Sequence, residues 1–157
     1  LDTGEETNTG GRVFKLKDSL EDKFIVTYGD GLANVNISEL INFHNSHNKI
    51  GTVTVTNPVS RFGLVEFNED NLVTKFIEKP KLDGFINIGF MVFDKSVLNY
   101  LDNNSILETD PLINLSKDSE LMSFVHDGYF EPMDTYREYL QLNEYWESGN
   151  PPWMSFK

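Results

Sequence analysis

Apolar positions recur along this chain with two alternating periods, and the switches between them mark its elements. Val13, Leu16 and Leu20 fall three and four apart, which predicts a helix over Arg12 to Leu20. Phe24 to Tyr28 is a run of β-formers stopped by Gly29-Asp30-Gly31, the pattern of a buried strand ending at a sheet edge. Ile37, Leu40, Ile41 and His44 then stripe a second helix over 37–47, with Asn36 as N-cap and Glu39 three residues on in a variant of the capping box. Ile50 to Thr56 alternates with β-branched residues, and 62–67 and 72–77 read as two strands around a polar turn. One further strand is expected over 85–93, holding Gly89, since a glycine inside a strand marks close approach of backbone or ligand. Helices near 95–101 and 108–117, a strand over 121–126 and a long helix over 135–147 follow, with Asp134 placed as the N-cap of the last. From about 148 the chain becomes a tail whose Pro151-Pro152-Trp153 is suited to docking on a neighbouring surface. The alternation predicts a mixed α/β fold in one domain over 1–157, without internal repeats.

Composition sharpens this in a few respects. With 39% hydrophobic and 24% charged residues, the 157-residue chain is globular and large enough for a core. Twenty-five acids against 13 Lys and Arg give a formal charge of −12, which argues against binding a nucleic-acid backbone. A small phosphorylated ligand remains compatible, because it needs only one or two donors and a divalent cation. The absence of cysteine removes disulfides and thiolate metal sites and fits a reducing, cytoplasmic setting. No stretch has the length of a membrane helix. The start at Leu1-Asp2-Thr3-Gly4 reads as the tail of a strand entering a turn, as in a piece of a longer polypeptide.

Candidate chemistry gathers at the element ends. Ligands of open α/β sheets bind outside the carboxyl ends of the strands, where Asp30 sits between two glycines. Asp30 is either a carboxylate offered to a metal or ligand hydroxyl, or a plain turn aspartate. Thr9-Gly10-Gly11 is either a helix N-terminus that favours anions or an N-cap threonine with a loop before it. His44 and His47 lie three apart, but no carboxylate or cysteine at familiar spacing completes a metal site, so a solvated or core-edge role is expected. Asp30 and Asp134, Lys79 with Glu78, and the backbone donors at Thr9-Gly10-Gly11 together are the parts needed to hold a phosphoryl group with Mg²⁺.

Six ordered segments carry a family resemblance: Thr9-Gly10-Gly11-Arg12, Tyr28-Gly29-Asp30-Gly31, Arg61-Phe62-Gly63, Phe76-Ile77-Glu78-Lys79-Pro80, Ile86-Asn87-Ile88-Gly89-Phe90 and Glu131-Pro132-Met133-Asp134-Thr135, the last followed by Arg137. The chain resembles the sugar-phosphate nucleotidyltransferases over essentially its whole length. Within them it is most similar to the branch that makes CDP-glucose for bacterial dideoxyhexoses of lipopolysaccharide O-antigens. The resemblance implies a Rossmann-like mixed sheet flanked by helices, of the GT-A-like nucleotidyltransferase kind. It implies transfer of a cytidylyl group from CTP to α-D-glucose 1-phosphate with release of pyrophosphate, by in-line attack without a protein nucleophile. A sister enzyme using dTTP or UTP, and a non-catalytic sugar-phosphate-binding domain, are the alternatives.

Carried over by that resemblance, Asp30 and Asp134 are the Mg²⁺ ligands, and Lys79 grips the phosphate of glucose 1-phosphate. Glu78 bonds glucose hydroxyls, Gly63 admits close backbone approach, and Asn87 and Gly89 line the same side. Thr9, Gly10, Gly11 and Arg12 lie near the nucleotide and sugar. The family tends to associate, so a homo-oligomer is expected. Three departures stand out. Phe130-Glu131 replaces the usual Trp-Gln, adding a charge near an anionic ligand. Ile88 replaces the middle glycine of Asn-Gly-Gly, adding bulk beside the sugar. The glycine-rich triphosphate loop and base-reading segment with which family members open are not found in this sequence. The chain thus resembles the C-terminal portion of such an enzyme, with the N-terminal portion absent, catalytically incomplete and less stable alone.

Overall fold

The computed structural model describes residues 1–154. Its centre is a mixed sheet with the order β1 (Lys23–Val26), β7 (Met91–Asp94), β3 (Gly51–Thr56), and β8 (Leu121–Val125) on the far side of β3. Beyond β7 along the same flank of β3 pairs the two-residue β6 (Ile86–Asn87). β7 runs antiparallel to both β1 and β3, and β8 runs parallel to β3. Strands β1, β3 and β8 therefore point the same way, and the segments after them emerge at one edge.

Helices cover both faces, as the alternation predicts. α1 (Thr9–Lys15), a 3₁₀ turn (Lys95–Tyr100) and α3 (Asp110–Lys117) cover one face, around Val13, Met91, Phe93, Val97, Leu107 and Leu115. α2 (Ile37–Ser46) covers the other, where Leu40 packs with Val35, Ile88 and Val92. Met91 and Phe93 serve one core and Val92 the other because successive strand side chains point to opposite faces. Two ribbons stand apart: β2 (Gly31–Ala33) with β9 (Phe130–Pro132), and the hairpin of β4 (Leu64–Phe67) with β5 (Val73–Ile77). α4 (Tyr136–Glu147) follows β9, and Trp153 of the terminal 3₁₀ turn (Pro152–Met154) packs on Tyr129 with ring centroids 6.1 Å apart. The tail thus docks on its own chain, while its last residues, 155–157, lie outside the described part.

Several expected boundaries move, for identifiable reasons. The first helix begins at Thr9 and ends at Lys15, so its two glycines lie inside it. A Cβ at Gly10 would stand 2.9 Å from Ser105, and one at Gly11 would collide with the Asn103 carbonyl. The glycines are there to let the helix touch the 103–105 loop. The strand after Asp22 is not buried: it is an edge strand four residues long, with Ile25 exposed. The expected strand over 85–93 is two strands, broken where Gly89 (φ +77°) and Phe90 (φ +51°) take left-handed backbone. At the last helix the N-cap is Thr135 and not Asp134. Thr135 accepts from the Glu138 N–H while Glu138 reaches back to the Thr135 N–H, a complete capping box.

The histidine pair is structural. His44 is buried and shares the Thr52 hydroxyl with His47, at 2.9 and 2.8 Å, and its other nitrogen lies 3.3 Å from Asp94. Among the described residues no group of three or more His, Cys, Asp or Glu is arranged to hold a metal ion, and no helix is long and apolar enough to cross a membrane.

Candidate active site

The edge where β1, β3 and β8 end is built up by the β2–β9 ribbon. Gly31 pairs with Pro132, and the Met133 N–H donates to the Asp30 carbonyl at 2.7 Å. This backbone pairing sets Asp30 opposite Met133, the residue before Asp134, although Asp30 and Asp134 are 104 positions apart in the chain. The Asp30 carboxylate makes no hydrogen bond or ion pair among the described residues. Asp134 has Arg61 as a neighbour of opposite charge, at 3.7 Å.

Asp134 is held by its successor helix. Glu138 Oε2 accepts from the Asp134 and Thr135 N–H groups at 2.9 and 2.8 Å, and its Oε1 takes Arg61 at 2.7 Å. Burial pushes the Glu138 carboxyl up, but those hydrogen bonds and the Arg61 charge outweigh it and leave the group below its ordinary value. Glu131, next along β9, goes the other way: burial and the Glu138 charge raise it, with Arg61 opposing.

Beside this lies a cleft of about 660 Å³ lined by Arg61, Lys79, Lys81 and Arg137. Four of 13 basic side chains converge on it in a chain of net charge −12. Glu131, Glu138 and Asp127 also line it, so the cations are mixed with acids. Lys79 sits at φ +46°, an uncommon conformation for a residue with a side chain. It is held there by the pairing of 58–60 with 80–82: Ser60 N–H to the Pro80 carbonyl at 2.8 Å, and Leu82 N–H to the Pro58 carbonyl at 2.9 Å. Glu78 and Gly63 meet at the base of the hairpin, where a Cβ on Gly63 would lie 3.2 Å from Glu78 Oε2 and 2.6 Å from the Phe76 ring.

A third group joins Thr9, Asn87 and Gly89 through two residues that the sequence does not single out as a pair. Glu108 accepts from the Thr9 and Tyr28 hydroxyls, each at 2.7 Å. Tyr28 in turn lies 3.3 Å from the Asn87 amide nitrogen, and the Asn87 oxygen accepts from the Gly89 N–H at 3.0 Å. Burial, then the hydrogen bond and charge of Glu108, raise the Tyr28 phenol well above its ordinary value.

The predicted residues thus fall into three clusters: Asp30 with Asp134; Gly63, Glu78 and Lys79; and Thr9 with Asn87 and Gly89. Of them only Lys79 lines the cleft itself. Gly10, Gly11 and Arg12 stand apart. The Gly11 N–H donates to the Ser105 carbonyl and the Arg12 N–H to Asn8, so these donors are already used. Arg12 reaches over the N-terminal loop to Thr3 Oγ1 and the Glu5 carbonyl, both at 2.8 Å. Thr9 is not the N-cap either: Asn8 holds that position. Ile88 does not add bulk beside a sugar. Its side chain is 2% exposed and packs with Val35, Leu40 and Val92. Glu138 carries a signal in the sequence, since Thr-x-x-Glu is a capping-box spacing; Glu108 carries none, because its partners lie 80 and 99 positions away.

Comparison with known proteins extends this picture. The family model described as Nucleotidyl transferase matches residues 3–147. The chain is 41% identical over 161 aligned residues to the glucose-1-phosphate cytidylyltransferase of Salmonella typhimurium, covering all of this chain and 62% of that protein. It is 42% identical over 156 residues to a protein of Bacillus subtilis named "probable glucose-1-phosphate cytidylyltransferase", covering 98% of this chain and 61% of that one. The chain thus spans less than two thirds of the length of these curated relatives. In three dimensions it superposes on the crystal structure of HddC from Yersinia pseudotuberculosis with a TM-score of 0.65 at 24% identity, covering 91% of this chain and 64% of the other, so the two share a fold. Matched along nearly its whole length, the chain belongs to the nucleotidyl transferase family.

Proposed function

We propose that the polypeptide carrying this chain transfers a cytidylyl group from CTP to α-D-glucose 1-phosphate, forming CDP-glucose and pyrophosphate. The observation that carries this reading is the 41% identity to a glucose-1-phosphate cytidylyltransferase across the full length of the chain. The gathering of Arg61, Lys79, Lys81 and Arg137 on one cleft supports it, because it offers an anion basic partners, among three acids, in a molecule of net charge −12.

In this reading an oxygen of the glucose 1-phosphate phosphate attacks the α-phosphorus of CTP. The new O–P bond forms as the bond to the β-phosphate oxygen breaks, and pyrophosphate leaves in line. Lys79 donates to the sugar phosphate, holding the attacking group at a fixed point and countering its charge. Glu78 accepts from sugar hydroxyls, and Asn87 and Gly89 bound the same side. Asp30 and Asp134 would hold Mg²⁺, which supplies charge neutralisation to the phosphates when bound. Two carboxylates, with no third His, Cys, Asp or Glu beside them among the described residues, suit an ion that keeps waters and substrate phosphates in its shell. A cytoplasmic location and a homo-oligomeric assembly complete the proposal. The apolar hairpin β4–β5, exposed along both strands, is compatible with such assembly.

Pyrophosphate release by the complete gene product with glucose 1-phosphate and each of CTP, dTTP and UTP tests the reading. CTP is expected to give the highest kcat/KM; preference for dTTP or UTP would move the protein to a sister branch. Binding of glucose 1-phosphate without turnover of any nucleotide would make it a sugar-phosphate-binding protein.

A further inference from the structure

Glu108 stands at the foot of α3, and the proposed reaction assigns it nothing. Its carboxylate nevertheless joins parts of the chain that sequence distance keeps apart. A carboxylate only accepts hydrogen bonds, so the directions around it are fixed. The Thr9 hydroxyl donates to Oε2 and the Tyr28 hydroxyl to Oε1. With its proton so committed, Thr9 Oγ1 accepts from the Leu107 N–H at 2.9 Å, which fastens Glu108 to α1 from both sides. The Tyr28 oxygen likewise accepts from Asn87 Nδ2, which turns Asn87 Oδ1 toward the Gly89 N–H. Gly89 takes its left-handed conformation against the Tyr28 ring, where a Cβ would stand 2.8 Å from the ring edge. The order of the chain is therefore Glu108 to Tyr28 to Asn87 to Gly89.

We propose that Glu108 is a positioning residue that sets the face receiving the sugar. Through Tyr28 it fixes the rotamer of Asn87 and the backbone turn at Gly89, without touching the reacting atoms. The inference rests on the proposed function, which puts Asn87 and Gly89 beside the sugar. Two donors converge on Glu108, and an amide can accept through one atom only. Glutamine here would present an N–H₂ to one of the two donating hydroxyls, which would then lose its acceptor. Glu108→Gln therefore keeps shape and volume while breaking one arm of the clamp.

The test uses the complete gene product and its Glu108→Gln and Tyr28→Phe variants. Both variants are expected to raise KM for glucose 1-phosphate about tenfold, the worth of one charge-assisted hydrogen bond, while KM for the nucleotide changes less than about twofold. A rise in both KM values together, or no rise in either, would overturn the proposal. A second readout needs no turnover: the crystal structure of Glu108→Gln. The Asn87 side chain and the turn at Gly89 are expected to shift from their wild-type positions, because Asn87 is held through Tyr28. If both stay in place the clamp is wrong. If the wild-type protein turns over no sugar phosphate, the functional reading fails and that structure still decides whether the clamp exists.

Discussion

Single side chains at this site are legible to different degrees, and the difference follows from where their partners lie. Lys79 is visible in the sequence as the lysine after a strand, yet its left-handed backbone comes from the pairing of 58–60 with 80–82. If it grips the sugar phosphate, Lys79→Ala should lower kcat/KM for glucose 1-phosphate about 10- to 100-fold. That corresponds to loss of a hydrogen bond to a charged group, at about 1.5–3 kcal/mol. Steady-state kinetics of the complete gene product would read it, and an unchanged kcat/KM would remove Lys79 from the proposed site. Glu131 gives a prediction of sign. Its carboxyl is raised by burial and by Glu138, so the folded chain holds its proton more tightly than the unfolded chain does. That contribution to stability is present below the ordinary glutamate range and is lost as pH rises through the raised value. Glu131→Gln should then melt higher than wild type at pH 7, with the gain shrinking toward pH 4. Equal differences at both pH values would contradict the assignment.

At the scale of elements, local signals succeed where a side chain acts on its own helix or strand. Asn36 caps α2 by accepting from the Glu39 N–H at 3.1 Å, as the spacing predicts. The expected reciprocal bond differs, because Glu39 meets the Asn36 amide group and not its backbone. Thr135 replaces Asp134 as the cap of α4, and the Asp134 carboxylate lies 3.7 Å from Arg61 instead. Thr135→Ala should cost about 1 kcal/mol of stability by chemical denaturation, the usual worth of an N-cap hydroxyl. If Asp134 holds Mg²⁺, that variant should also raise the Mg²⁺ concentration needed for half-maximal turnover, because the Glu138 carboxylate that anchors the Asp134 N–H belongs to the same box. A denaturation midpoint equal to wild type would show that the box is not holding the helix. The strand broken at Gly89 and Phe90 is an error of the opposite kind. Apolar periodicity continues through 85–93, while the backbone turns to place Gly89 under Tyr28.

For the whole molecule, the exposed hairpin is the feature most at odds with an isolated domain. Every residue of β4 and β5 is exposed, and a two-stranded ribbon alone is marginally stable in water. Phe67 and Leu72, each 65% exposed near the hairpin turn, contribute little to the core. Phe67→Ser with Leu72→Ser should leave the melting temperature within a few degrees of wild type and lower the apparent mass in light scattering if this ribbon joins copies. An unchanged mass would place any assembly elsewhere. The α/β class, the order of most elements and the existence of a helix after Asp134 follow from apolar periodicity, turn residues and caps, which act over a few positions and so can be read along the chain. The gathering of Asp30 with Asp134, the four cations on one cleft and the Glu108 clamp arise from contacts between residues far apart in the chain. Ile88 shows the limit of motif reading: its place in a motif suggested a position beside the ligand, and packing put it in the core. Spacing decides which face of an element a residue occupies; only the way elements pack decides what that face meets.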